Sequence, residues 1–167
     1  MRSEILNETY FSKIIEIGRQ KNWGKRIPVS QPKLNFSKDL AVHYFEQFMP
    51  VYLSDASLHK ITKSETSVGF RFKDFENLGW IIRTSQATND KTTSKKLCVE
   101  RYTTQSTKPR VCFYLSGNTM ANLMANRLPL HQAILCKQVH VEGPLIDTLR
   151  VSRALSHFMQ EHPLQEN

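Results

Sequence analysis

The side chains best suited to chemistry in this sequence gather in its C-terminal half: Cys112, His131, Cys136 and His140. His131, Cys136 and His140 could in principle ligate a metal. Their spacing matches no zinc pattern, and no fourth ligand lies nearby in sequence, so no metal is expected. Cys112 or Cys136 beside His140 would be the nucleophilic version of the same idea. Nothing marks either thiol as activated, and buried, inert cysteine is the expectation. The sequence contains no Walker loop, G-x-G-x-x-G, H-E-x-x-H or G-x-S-x-G, so no nucleotide, flavin or metal-hydrolase chemistry is indicated and no cofactor is expected. Gly117-Asn118-Thr119 opens a helix and lacks the Lys-Ser/Thr of a phosphate loop. Glu142 and Arg150 read as a surface pair.

What surrounds these residues is apolar and flexible. Residues 109–158 carry Val111 to Leu115, then Met120, Leu123 and Met124, then the run Leu128 to Ala133, then Val139 to Gly143 and a helix from Pro144 to Met159. The spacing predicts a strand, a helix capped by Ser116 or Asn118 and running to about Ala125, a short helix opened by Pro129, a strand and a long helix. In the long helix, Leu145, Leu149, Ser152, Leu155 and Met159 line one face.

Upstream, residues 3–20 read as an amphipathic helix and Lys21–Phe36, with Gly24, Pro28 and Pro32, as a loop or crossing segment. Ser37 is placed to cap a helix over Lys38–Met49, ended by Pro50. Val68, Phe70 and Phe72 alternate with Gly69 and Arg71, and Trp80–Ser85 reads as the returning strand of a hairpin. Thr84–Lys96 is polar and expected to be a loop, followed by strands over Leu97–Thr103 and Arg110–Leu115. An antiparallel meander between terminal helices points to an α+β fold: five strands, mostly antiparallel, with helices packed on one face.

Composition fits a globular chain, with 40% hydrophobic and 23% charged residues. Three cysteines without C-x-x-C spacing suit a reducing compartment. Met1–Tyr10 has early acids and no apolar core, and no stretch approaches the roughly 18 apolar residues of a membrane span. A cytoplasmic location is expected. The net charge of +8 is uneven: no acid lies between Glu16 and Asp39, where Arg19, Lys21, Lys25, Arg26, Lys33 and Lys38 fall. Such a stretch is a solvated linker or a docking segment for an anionic membrane surface or a partner enzyme. No nucleic-acid motif accompanies it, so nucleic acid is not an expected partner.

The run from Val111 to Leu155 resembles the sterol-carrier-protein domain, the type-2 lipid-transfer fold. Phe113–Leu115, Thr119–Asn126, Leu128–Ala133 and Val139–Gly143 look like its closing strand, helix, proline-opened short helix and last strand. One departure is Cys136, where a glycine usually precedes the basic residue, so the turn there must avoid positive φ. The resemblance implies a sterol-carrier-like lipid-binding domain over 37–160, an N-terminal helix and basic extension over 1–36, and a tail over 161–167. It implies an apolar tunnel for a fatty acyl, sterol-like or isoprenoid ligand, lined by Trp80, Phe113, Leu115, Met120, Leu123, Met124, Leu135, Leu149 and Met159. Each of these would equally serve as ordinary core.

The leading expectation is therefore non-catalytic carriage of a hydrophobic ligand. The alternatives are an accessory or scaffold factor in lipid-quinone (ubiquinone) biosynthesis, or a small enzyme shaping a polyketide-like or terpenoid substrate. The enzyme would need polar groups inside the pocket, for which His43, Tyr44, Tyr102, Tyr114 and His140 are the candidates. Burying about 15 methylenes at about 0.8 kcal/mol each yields about 12 kcal/mol gross. Association and ordering remove about 4–15 kcal/mol of it, so a carrier needs no charged contact to bind and still release its cargo.

Overall fold

The computed structural model describes residues 36–89 and 92–164. The expected helix over 3–20, the crossing segment after it and the basic residues Arg19, Lys21, Lys25 and Arg26 lie outside them.

Ser37 starts the first helix, its Oγ accepting the Leu40 amide at 3.2 Å. Helix α1 (Lys38–His43) runs into a π-helical stretch (Tyr44–Phe48) and then α2 (Met49–Val51). Pro50 therefore does not end the helix at Met49. A proline inside an α-helix lacks the amide donor and its ring meets the carbonyl four residues back. Here the Met49 amide donates to the Tyr44 carbonyl five residues back, and this widened turn accommodates the ring. The same widening lets consecutive Tyr44 and Phe45 both enter the core. A 3-10 turn (Ala56–Leu58) and α3 (His59–Ser64) follow, burying Leu58 and Ile61 in a segment for which the sequence predicts no regular element.

The sheet contains β1 (Val68–Phe72), β2 (Leu78–Asn89), β3 (Thr92–Arg101), β4 (Val111–Leu115) and β5 (His140–Glu142), in the order β3-β2-β1-β4-β5. It is an α+β fold with a mostly antiparallel sheet, as expected. The meander is corrected in one respect: β4 pairs with β1 and runs parallel to it. The expected loop over Thr84–Lys96 is also corrected. Its residues extend β2 and β3 into a ribbon paired from Trp80↔Arg101 to Asn89↔Thr92. Pairing of β2 with β1 stops at Ile82↔Val68, so the ribbon beyond has no third strand, and past the Thr84↔Leu97 pair its residues Ser85, Gln86, Ser94, Lys95 and Lys96 are exposed. Its polar, Thr- and Ser-rich sequence is what such a strand pair tolerates.

One face of the sheet carries Val68, Phe70, Phe72, Trp80, Ile82, Leu97, Val111, Phe113 and Leu115, all in a single hydrophobic cluster with the helices. Ile81 and Cys112 are equally buried but lie outside that cluster, on the opposite face. The connection over 102–110 crosses there, and a Cβ on Gly69 would sit 2.6 Å from the Pro109 ring. Glycine at 69 lets this strap lie close to the sheet.

The remaining helices are α4 (Gly117–Met124), α5 (Leu130–Leu135) and α6 (Leu145–Glu161). Ser116 caps α4, its Oγ accepting the Thr119 amide at 3.1 Å. The Asp74 carboxylate accepts the Gly117 amide at 2.8 Å, tying the β1–β2 turn to the positive end of α4. Cys136 has φ −81, as the missing glycine requires, and Lys137 takes the left-handed position at φ 58. The buried face of α6 is Thr148, Val151, Ser152, Ala154, Leu155, Phe158 and Met159. Leu149 is 42% exposed; it lies about 120° round the helix from Leu155 at 3.6 residues per turn. The buried stripe is rotated toward Val151, Ala154 and Phe158.

Glu46, on the π stretch, clamps helix to sheet. The Trp80 indole donates to its Oε1 at 3.0 Å, and Arg101 Nε donates to the same oxygen. The Arg101 hydrogen bond, aided by the indole, holds the Glu46 carboxyl below its ordinary 4.5. A depressed folded value means that the stabilisation is present above the unfolded pKa and lost as pH falls through the folded one. Urea midpoints between pH 7 and pH 3 should therefore fall more steeply below about pH 4.5 for the wild type than for Glu46→Gln. Parallel curves would show that the clamp contributes nothing.

Candidate functional site

The interior between sheet and helices has two halves of different character. Under α1 and the π stretch it is aromatic. Phe45 stacks on Trp80 at 4.7 Å and 10°, and contacts Phe70 at 5.2 Å, while Phe36 reaches Phe72 at 5.6 Å. Ring pairs at such distances add about 0.5–1.5 kcal/mol each beyond area burial. Trp80, expected to line a ligand tunnel, is committed to this layer by its stack and its Glu46 bond.

The second half lies where α6 packs against α4, α5 and β4. The structure brings Phe113, Leu115, Met120, Leu123, Met124 and Met159 into the shared cluster, all buried, while Leu135 is half-buried at the end of α5. Leu149 is on the outside. Methionine has three rotatable bonds and a polarizable sulfur, so this half can adapt its shape in a way that the aromatic half cannot.

Among the described residues, the buried side-chain atoms without a hydrogen-bond partner include the Tyr44 hydroxyl, Thr84 Oγ1, Asn122 Oδ1, Ser152 Oγ and Ser156 Oγ. Burial pushes the Tyr44 phenol well above its ordinary range. Asn122 is 3% exposed and donates through Nδ2 to the Asn118 carbonyl at 3.1 Å, which leaves Oδ1 free. Ser152 is likewise 3% exposed, on the inward face of α6. A buried polar group left unpaired costs about 1–3 kcal/mol. Ser152 is legible in the sequence as part of the inward face of the long helix but not as a site candidate, and Asn122 is buried on the side of α4 turned away from Met120 and Met124, where no apolar stripe points to it.

The groups considered for catalysis do not converge. Tyr44 is inside and His43 is exposed on α1. Tyr114 and His140 lie on the outer face of the sheet, where Tyr102 packs against them only indirectly, through Arg71, whose guanidinium lies 4.0 Å from the Tyr102 ring centre. The Tyr114 hydroxyl donates to Glu142 at 3.2 Å, and Lys108 lies 3.3 Å from the same carboxylate. Glu142 thus pairs with Lys108, and Arg150 with Asp147 at 3.4 Å, so the expected Glu142–Arg150 pair is replaced by these two. Cys112 is opposite Glu142 in the β4–β5 ladder, and His140 is opposite Tyr114. Burial pushes the Cys112 thiol up, away from the thiolate that a nucleophile needs.

No family model matches the chain, and no curated protein matches it. Solved structures do. Several of the neighbours are sterol carrier proteins or domains, and others are sec-alkyl sulfatases of which this chain matches about a seventh. The chain is similar to sterol carrier protein domain 2 of Helicoverpa armigera, at 18% identity over 73% of this chain and 89% of that one, with a TM-score of 0.49. It is similar to the apo form of sterol carrier protein 2 from Yarrowia lipolytica, at 11% identity over 81% and 100%, TM-score 0.47. It is also similar to a UbiJ-SCP2 ubiquinone synthesis protein, at 14% identity over 76% and 97%, TM-score 0.48. No described helix is long and apolar enough to cross a membrane.

With Cys112 buried and its thiol pushed up, a disulfide reagent at pH 8 should leave Cys112 unmodified in the native protein and label it only on unfolding. Peptide mapping that found Cys112 labelled as fast as half-buried Cys136 would mean the 102–110 strap does not shield it.

Proposed function

We propose that this protein binds a hydrophobic ligand non-covalently, as a carrier rather than a catalyst, in the half of its interior walled by β4, α4 and α6. The observation carrying this reading is a methionine-rich wall on α4 and α6 together with the unpartnered Ser152 Oγ, seven residues from Met159 and so on the same buried face of α6. An acyl or prenyl tail suits the methionines, whose rotamers can make way for it. A hydroxyl or carboxyl head would give the orphaned Ser152 hydroxyl the hydrogen bond that the protein leaves unmade. The separation of Tyr102, Tyr114 and His140 from this interior favours carriage over chemistry. In this reading Phe113, Leu115, Met120, Leu123, Met124 and Met159 contact the ligand, with Leu135 at the rim, while Trp80 supports the wall from the aromatic side.

Two measurements test it. Gently purified protein should release lipid or isoprenoid on solvent extraction, detected by mass spectrometry, or take up a fluorescent fatty acid with saturation. Ser152→Ala should weaken fatty-acid binding about fivefold, the worth of one hydrogen bond of about 1 kcal/mol, while stability holds or rises because an unpaired hydroxyl is gone. Protein with no extractable ligand and no saturable uptake would sink the proposal.

A further inference from the structure

At the far end of α6, away from the methionine half's polar atoms, side chains distant in sequence converge. Asp55 Oδ2 lies 2.7 Å from His162 Nε2, although the two residues are 107 positions apart. Glu161 joins them, and one ligating atom from each of the three falls within 4.8 Å of the others. One helical turn back, His157 Nδ1 lies 3.4 Å from Glu161 Oε1. From these positions we propose that Asp55, Glu161 and His162 form a binding site for a first-row divalent cation of the zinc type.

Three features of the cluster point the same way. The first is orientation. Asp55 Oδ1 accepts both the amide and the hydroxyl of Ser57, each at 2.8 Å, which fixes the carboxylate and leaves Oδ2 turned toward the helix end. The His162 ring is held between Tyr52, at 4.3 Å, and Phe158, at 5.0 Å. Ligands held this way lose little freedom on binding a metal. The second is charge. Two carboxylates approach each other here, and among the described residues their ion pairs are with imidazoles only. A dication relieves that repulsion without a protonated histidine. The third is access: His162 and Asp55 side chains are 20% and 21% exposed, and Glu161 is 43% exposed, so one side is closed by protein and the other meets water.

The donor set selects the ion. Imidazole nitrogen with carboxylate oxygen suits zinc and its neighbours, whereas magnesium and calcium favour oxygen alone. Zinc bonds of about 2.0–2.2 Å are met by small side-chain rotations from the positions seen. The bound ion would clasp the end of α6 to the turn between α2 and α3, replacing the direct Asp55–His162 hydrogen bond with a bond from each side chain to the metal and releasing any proton that His162 Nε2 carries.

The test is titration of the full chain with zinc chloride, by calorimetry and by thermal melting with and without EDTA. One ion should bind saturably at micromolar concentration and raise the melting temperature by several degrees, reversed by EDTA. Glu161→Gln keeps the Asp55–His162 contact, so its metal-free melting temperature should match the wild type or exceed it, while zinc affinity falls at least tenfold. His162→Ala should abolish the site. Cobalt in place of zinc should show ligand-field bands without the ultraviolet sulfur-to-metal charge transfer that Cys98, Cys112 or Cys136 would produce. No saturable binding at 100-fold excess metal, affinity unchanged by Glu161→Gln and His162→Ala, or a thiolate band would each overturn the proposal.

Discussion

Parallel strands cannot be joined by a tight turn, so pairing β1 and β4 in the same direction obliges the chain to cross the sheet between β3 and β4. Residues 102–110 make that crossing on one face, with Pro109 pressed onto Gly69. Every described helix is then left to the other face, where the hydrophobic cluster lies. The division of the molecule follows from this constraint. Polar groups with chemical potential, such as Tyr102, Tyr114 and His140, accompany the strap. The apolar interior forms only between sheet and helices, so an occupant of that interior does not meet them.

Within the interior, packing and adaptability are distributed unevenly. The rings around Phe45 and Trp80 fix the N-terminal helix to the sheet, and the Glu46 clamp adds a directional bond at its edge. Phe70 stacked on Phe113 at 5.5 Å joins this layer to the next. Beyond Phe113 the wall passes to Met120, Met124 and Met159. A dense aromatic layer resists reshaping because each ring has few alternative positions. A methionine wall has several, so in the proposed reading a ligand would enter without disturbing the layer that holds the fold together.

The legible parts of this fold were those encoded locally. Ser37 and Ser116 cap helices with their own hydroxyls, Val68, Phe70 and Phe72 alternate because one face of β1 is buried, and the segment from Val111 to the end of α6 follows helical and strand periods directly. What was not legible depended on distance or on missing neighbours. In the outer ribbon Ser85, Gln86, Ser94, Lys95 and Lys96 are exposed, so no buried face writes an alternation there. Pro50 stays in a helix only because the π stretch before it widens the turn. The parallel β1–β4 pairing leaves no sign in either strand, and Asp55 meets His162 across most of the chain. On α6, a plausible apolar stripe through Leu149 competed with the true one through Val151, Ala154 and Phe158, and packing against α4 and α5 decided between them.

The arrangement also bears on what a ligand could be distinguished by. Where methionine side chains already fill apolar space, a tail that enters trades one set of apolar contacts for another. The gain per methylene is then well below the roughly 0.8 kcal/mol of full transfer from water. Tail length and branching are therefore poorly discriminated, as in any apolar pocket that differs from its competitor by a methylene or two. A head group is different, because Ser152 Oγ, on the buried face of α6, is unpaired within the protein. In the proposed reading a ligand that satisfies it gains a hydrogen bond, and one that cannot leaves it buried and unmet. Under the proposed reading, selectivity in such an interior would reside in the head and tolerance in the tail.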